Sequence, residues 1–187
     1  MCNQLKIHST ISSCGIDCGL CPRYYTTGTS ACPGCGVVNF AERRPLCGVF
    51  TCCAVKHGLE VCSQCSEYPC KRFVTGKCDF DSFVSHKRKS ANLEYIKTHG
   101  IESFLKTQSI RIEILQNLLV NHNDGRTKSF FCLSCALLPI EQLQQVNGYA
   151  NKLNRSLDVK SRCKTVKEKL MAIADDLGIE LRLVTKG

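Results

Sequence analysis

Along the second half of the chain, apolar residues recur every three or four positions; along the first 78 residues they do not. Ile101, Phe104, Leu105, Ile112, Leu115, Leu118 and Leu119 fall on one face of a 3.6-residue period and predict a long helix. An earlier helix is expected from a cap at Asp79 or Asp81, through Phe83, to Tyr95 and Ile96, with His99-Gly100 ending it. Asn123-Asp124-Gly125 is a turn signal. Phe130 to Leu138 reads as a short helix, and Pro139 suits the first turn of the next, with Leu143, Val146, Ala150 and Leu153 on one face. A last helix sets Val166, Leu170, Ile173, Ala174 and Leu177 together and stops at Gly178. Ile179 to Val184 alternates apolar and polar and predicts a short strand. These stripes build a core and disclose no chemistry.

The first 78 residues are instead punctuated by Gly and Pro, which favours turns and short pieces over long elements. One short helix is expected around Thr51 to His57, ended by Gly58. Leu, Ile, Val and Phe make up only about a fifth of this segment, near the ~20% level below which chains tend to stay unfolded. Apolar burial alone therefore gives it little to set against the entropy of ordering. The expected architecture is a small, metal-stabilised, irregular α+β part over 1–78, joined to a mainly α-helical part over 79–187 that ends in the short strand.

Cysteine supplies what apolar residues do not. Thirteen of sixteen cysteines lie in the first 78 residues, and three CxxC pairs stand among them: Cys18/Cys21, Cys32/Cys35 and Cys62/Cys65. Disulfides need an oxidising compartment. Met1 to Ser12 lacks the apolar run of ~7–15 residues of an export signal, and nothing later reaches the ~18 apolar residues of a membrane span. A reduced, cytoplasmic protein that meets no membrane is expected, and there paired cysteines point to metal.

Zinc takes four ligands in a tetrahedron, commonly offered as two CxxC pairs. The candidate ligands are Cys14, Cys18, Cys21, Cys32, Cys35, Cys47, Cys53, Cys62, Cys65 and Cys70, enough for two four-thiolate Zn2+ sites per chain. Spacing leaves their pairing open. A consecutive arrangement joins the first two CxxC pairs; an interleaved one joins the first pair with Cys47 and Cys53. His57 is an alternative ligand beside Cys53. Cys2 reads as a free terminal thiol, Cys52 and Cys78 as spare sulfurs, and Cys132, Cys135 and Cys163 as small hydrophobes. The rival cofactor is an iron–sulfur cluster at Cys14, Cys18 and Cys21, whose spacing is that of the cluster loop in radical enzymes using S-adenosylmethionine. Those enzymes need a large barrel after the motif, whereas further cysteines follow here within eleven residues.

Charge changes the picture less than its total suggests. Of the net +9, residues 1–78 carry +4 and the rest +5. Two four-thiolate zinc sites bring −2 each and would cancel the first share, with Arg43, Arg44, Lys71 and Arg72 as offsetting neighbours. The basic run of Lys152, Arg155, Lys160, Arg162, Lys164, Lys167 and Lys169 reads as a solvated helix face. A nucleic-acid partner is weakly supported, because aromatic residues are 7% of the chain and Trp is absent. No phosphate-binding glycine loop, nucleophile elbow or catalytic dyad stands out. The residues therefore point to a non-enzymatic interaction module with an unidentified protein partner.

The order Cys-Gly-Ile-Asp-Cys-Gly-Leu-Cys-Pro (14–22), Cys-Pro-Gly-Cys (32–35), Cys53, Gly58 and Cys-Ser-Gln-Cys-Ser-Glu-Tyr-Pro-Cys (62–70) resembles an uncharacterised cysteine-rich family, one of the numbered domains of unknown function found widely in anaerobic bacteria and archaea. The segments 95–102 and 123–132 also look like its longer members. The resemblance implies zinc, favours Cys53 over Cys52 as a ligand, and implies no activity.

Overall fold

A computed structural model describes residues 5–37, 39–75 and 80–185. The cap expected at Asp79 and the sulfurs of Cys2 and Cys78 lie outside the described residues. The chain divides into two compact units, residues 1–106 with 183–187 and residues 107–182.

The first unit is built from turns and short helices. These are α1 (Phe40–Arg43), α2 (Gly48–Phe50, continued by a π turn over Thr51–Lys56), α3 (Lys71–Thr75) and α4 (Lys89–His99). The expected helix at 51–57 is thus present in wider-wound form, and Gly58 ends it at φ 63°. The α+β expectation for this part is wrong. Among the described residues the only β pairing is an isolated antiparallel bridge between Ile11 and Asp17, so the part is helical and irregular without a sheet. The reason is local. Two of the CxxC pairs are tight 3-10 turns, Cys18–Leu20 and Cys62–Gln64. In each, the second cysteine's N–H donates to the first one's carbonyl, at 3.1 Å and 3.0 Å. Backbone groups closed within a turn are not offered to a ladder.

The core of this unit gathers Ile11, Val61, Tyr68, Phe73, Leu93, Ile96 and Phe104 with the sulfurs of Cys53 and Cys62. It also takes in a charge. Lys6 is wholly buried, its ammonium donating to the Glu60 carbonyl and lying 3.4 Å from the Glu60 carboxylate.

The helix α4 begins later than its sequence suggests. Asp81 is occupied in a loop, where its carboxylate accepts the N–H of His86 at 2.6 Å and of Val184 at 2.9 Å. The same contact removes the expected strand at 179–184. Val184 returns its carbonyl to the Asp81 N–H at 2.7 Å, but its own N–H goes to a side chain, and no strand forms among residues 179–185.

The second unit contains most of α5 (Ile101–Asn121), then α6 (Lys128–Leu137), α7 (Ile140–Asn151) and α8 (Val159–Asp176). The helical periods of the sequence hold here. Leu115, Leu118, Phe131, Leu138, Leu143, Val146, Val166 and Leu170 are all completely buried. Pro139 is the N-cap of α7, and Gly178 follows α8 at φ 63°. The Arg111 guanidinium donates to the carbonyls of Cys135 and Leu138, both at 2.7 Å, and so satisfies the end of α6. Among the described residues no helix is long and apolar enough to cross a membrane.

Candidate functional site

The cysteines of the first unit surround two cavities. The larger, about 770 Å3, is lined by Cys14, Cys18, Cys21, Cys32, Cys35 and Cys47. The smaller, about 20 Å3, is lined by Cys52, Cys53, Cys62, Cys65 and Cys70 together with His57. All ten candidate ligands therefore fall into one group or the other. The first two CxxC pairs share a cavity, as the consecutive arrangement expects. Cys47 lies with them, and Cys53 lies with the third pair.

Local chemistry positions these sulfurs. The loop carrying Cys14 and Cys18 is clamped by Asn92 of α4, whose amide donates to the Gly15 carbonyl at 2.9 Å and to the Asp17 carboxylate at 2.8 Å. Gly15 sits at φ 88° against α4, where a β-carbon would strike the Lys89 carbonyl and the Leu93 side chain. No other residue fits that contact. Gly34, inside the second CxxC at φ 103°, lies as closely against the Ser9 carbonyl. The Cys47 sulfur accepts the Phe50 N–H at 3.4 Å and caps α2. Asn92, Lys6 and Glu60 were not expected to matter. Only Asn92 leaves a trace in the sequence, a polar residue one turn from Ile96 on the apolar face of α4.

Burial dominates the electrostatics of the larger cavity. It pushes the thiols of Cys14, Cys18 and Cys21 up, and that of Cys35 up to about 12. Neighbouring sulfurs add to it: Cys35 acts on Cys18, and Cys14 on Cys35. At the smaller cavity the free Cys62 thiol donates a hydrogen bond to the Cys53 sulfur, which brings Cys53 down to about 7 and raises Cys62. Buried thiols crowded together resist ionisation unless a cation joins them, and a bound divalent ion inverts that balance.

The donor set fits a thiophilic metal. Soft sulfur ligands select zinc, copper(I) or iron–sulfur clusters, and 20 Å3 is room for roughly one atom-sized occupant. Among the described residues, no three His, Cys, Asp or Glu side chains already stand as a finished metal cage. Loading therefore requires the sulfurs to draw in on the ion.

Sulfurs of the second unit are placed differently. Cys132, Cys135 and Cys163 are buried, and Cys163 donates to the Thr127 hydroxyl at 3.2 Å. Members of the basic run are largely committed: Arg162 donates to the carbonyls of Asn121, Arg155 and Leu157, Lys164 pairs with Glu168 at 3.9 Å, and Lys167 and Lys169 lie over Phe130 and Tyr149. His8 approaches Glu102 at 4.0 Å and His99 stacks on Tyr95. The Nδ1 atoms of His86 and His122 are buried without a hydrogen-bond partner.

Residues 10–75 match the family model described as "Protein of unknown function (DUF3795)". The match spans all ten candidate ligands and leaves the segments 95–102 and 123–132 outside it. No curated protein and no solved structure matches the chain.

Proposed function

We propose that the chain is a zinc-binding protein, with two thiolate-held centres that stabilise its first unit and no catalytic group of its own. One centre uses four of the six sulfurs around the larger cavity. The other uses Cys53, Cys62, Cys65 and Cys70, with Cys52 and His57 beside them. One observation carries the reading: eleven of the thirteen cysteines in residues 1–78 divide between two cavities of the same unit. A bound zinc would supply charge that holds the sulfurs as thiolates and ties together loops with little apolar cover. Elemental analysis of protein purified without oxygen tests it. About two zinc ions per chain are expected; fewer than one would count against the proposal.

A second reading has one observation in its favour. Cys14, Cys18 and Cys21 all line a cavity of about 770 Å3, far larger than a single ion fills. An iron–sulfur cluster would use that space. Brown protein with acid-labile sulfide, bleached by Cys14→Ser with the helical signal retained, would replace zinc with iron in the larger cavity.

A further inference from the structure

The two cavities differ in volume by more than an order of magnitude, and a thiolate-held ion would fill the smaller but leave most of the larger unoccupied. At about 20 Å3, the smaller has space for an ion and nothing more. The larger, at about 770 Å3, lies within the ~300–1,000 Å3 range of small-molecule sites. Its wall away from the sulfurs is of another chemistry. Rings from Tyr24, Phe40, Phe50, Phe73 and Phe83 line it, with the cations Arg23, Arg44, Arg72 and Lys89. Among the described residues, no carboxylate lines it.

The four cations are not equally committed. Arg44 is bound to the carbonyls of Arg43 and Ser30, at 2.8 Å and 2.6 Å, and serves the loop. Arg23 lies 3.6 Å over the Phe83 ring and donates one guanidinium N–H to the Ser30 carbonyl at 3.3 Å, while its Nε is buried with no acceptor. Neither Arg72 nor Lys89 has a carboxylate partner among the described residues; the Lys89 ammonium lies 5.6 Å from the Phe73 ring. His86, on the same wall, keeps its Nδ1 buried and unpartnered while Nε2 meets the Ser82 hydroxyl at 3.1 Å. Buried polar atoms without partners are rare in native proteins and ask for a partner. Two such atoms belong to side chains that line this cavity, Arg23 and His86. A zinc with four thiolates would bring two negative charges, which leaves the four cations with a surplus of two.

We propose that the larger cavity is the binding site of a small organic anion with an aromatic or apolar body, its carboxylate, sulfonate or phosphate head held by Arg23, Arg72 and Lys89. The rings take the body, and the charged groups take the head through charge-assisted hydrogen bonds. The site shares its cavity with the proposed metal centre but rests on side chains that are not metal ligands.

Two fluorescent probes with one aromatic body test it on the full chain: 8-anilinonaphthalene-1-sulfonate, which carries the anion, and N-phenyl-1-naphthylamine, which does not. The sulfonate should bind saturably, one per chain, about ten-fold or more tighter than the neutral probe. Arg72→Gln with Lys89→Met should remove that margin and leave the neutral probe's affinity unchanged. Equal binding of both probes to the unaltered protein would overturn the proposal without any variant, as would a variant that weakens both alike. Benzoate, benzenesulfonate and phenyl phosphate, as dark competitors, separate carboxylate, sulfonate and phosphate ligands; displacement by none of them would also overturn it. Zinc content measured on the same samples keeps the two proposals apart. Anion preference in zinc-free protein would sink the zinc reading and support this one, whereas zinc-loaded protein without the preference would do the reverse.

Discussion

The two units use the same atom in opposite ways. In residues 107–182, Cys132, Cys135 and Cys163 are 0–2% exposed, in a unit whose Leu115, Leu118, Phe131 and Val166 are also buried. In the first unit, the sulfurs of Cys14, Cys18, Cys21, Cys32 and Cys35 are half-buried and line empty space. A thiol in a filled interior behaves as a small hydrophobe. A thiol on the wall of a cavity, beside others and near cations, is placed where it could ligate a metal, as the proposed function requires. Cysteine count alone does not separate these cases; the presence of a void does.

Under the zinc reading, chelation is the strongest way to break the comparison. Structural zinc contributes an apparent ~10–16 kcal/mol in small folded peptides, more than the whole stability of many domains. A strong chelator under reducing conditions should therefore abolish amide-exchange protection in residues 10–75. Protection in α6, α7 and α8 should persist, because their cores are apolar. Hydrogen exchange followed by mass spectrometry reads both units in one sample. Protection that survives chelation in residues 10–75 would mean that the first unit, too, stands on packing.

That contrast decides what could be read from the chain. The period of Leu115, Leu118, Leu143, Val146, Val166 and Leu170 is a direct consequence of helix geometry, so the helices of the second unit were legible to within a few residues. The first unit lacks such a period. Its CxxC spacing announced ligands and left their grouping open, because which cysteines share a cavity depends on how α4 closes on the loop at Gly15. The strand expected at 179–184 failed for a related reason. Alternation is a local property, but a strand needs a partner, and Val184 meets the Asp81 carboxylate instead. Lys6 gave no signal at all: a lysine near a chain end is ordinarily exposed, and here it is wholly buried.

The Lys6–Glu60 pair offers the next largest effect. The Glu60 carboxylate also accepts the N–H groups of Ile7 and His8, at 2.5 Å and 3.2 Å, so it serves both the buried ammonium and the entering chain. Glu60→Gln leaves that ammonium without its counter-charge, and a loss of ~3–5 kcal/mol is expected. Adding Lys6→Met should restore part of it, because the uncompensated charge is then gone. Urea unfolding followed on the first unit measures both. A loss below ~1 kcal/mol would place the pair with exposed ion pairs.

Serine for cysteine sharpens the sulfur comparison directly. Burial raises the Cys135 thiol to about 12, so it is neutral, and its side chain is wholly enclosed. Cys135→Ser should cost ~1–3 kcal/mol by burying a hydroxyl with poor partners, and should leave metal content unchanged. Cys62→Ser should instead lower metal content by about one ion per chain under the zinc reading. Equal metal loss from both variants would erase the distinction between packed and ligating sulfur.

The smallest effect concerns how the units cap their helices. In the first, the Cys47 sulfur caps α2. In the second, the Asp158 carboxylate caps α8, accepting the N–H groups of Lys160 and Ser161 at 2.9 Å and 3.0 Å and the Ser161 hydroxyl at 2.6 Å. That hydroxyl first, and then the backbone N–H groups, hold the Asp158 carboxyl below its ordinary value. A depressed carboxyl gives its full stabilisation above the unfolded value of ~3.9, and the contribution fades as pH falls through the lower folded value. Acid should therefore loosen the first turn of α8 below about pH 4. Asp158→Asn retains a side-chain acceptor but no titrating group, so in that variant the loosening should vanish. Amide exchange at Lys160 and Ser161 across the acid range reads the difference. An identical acid response in the variant would show that the carboxylate's charge does not hold this cap.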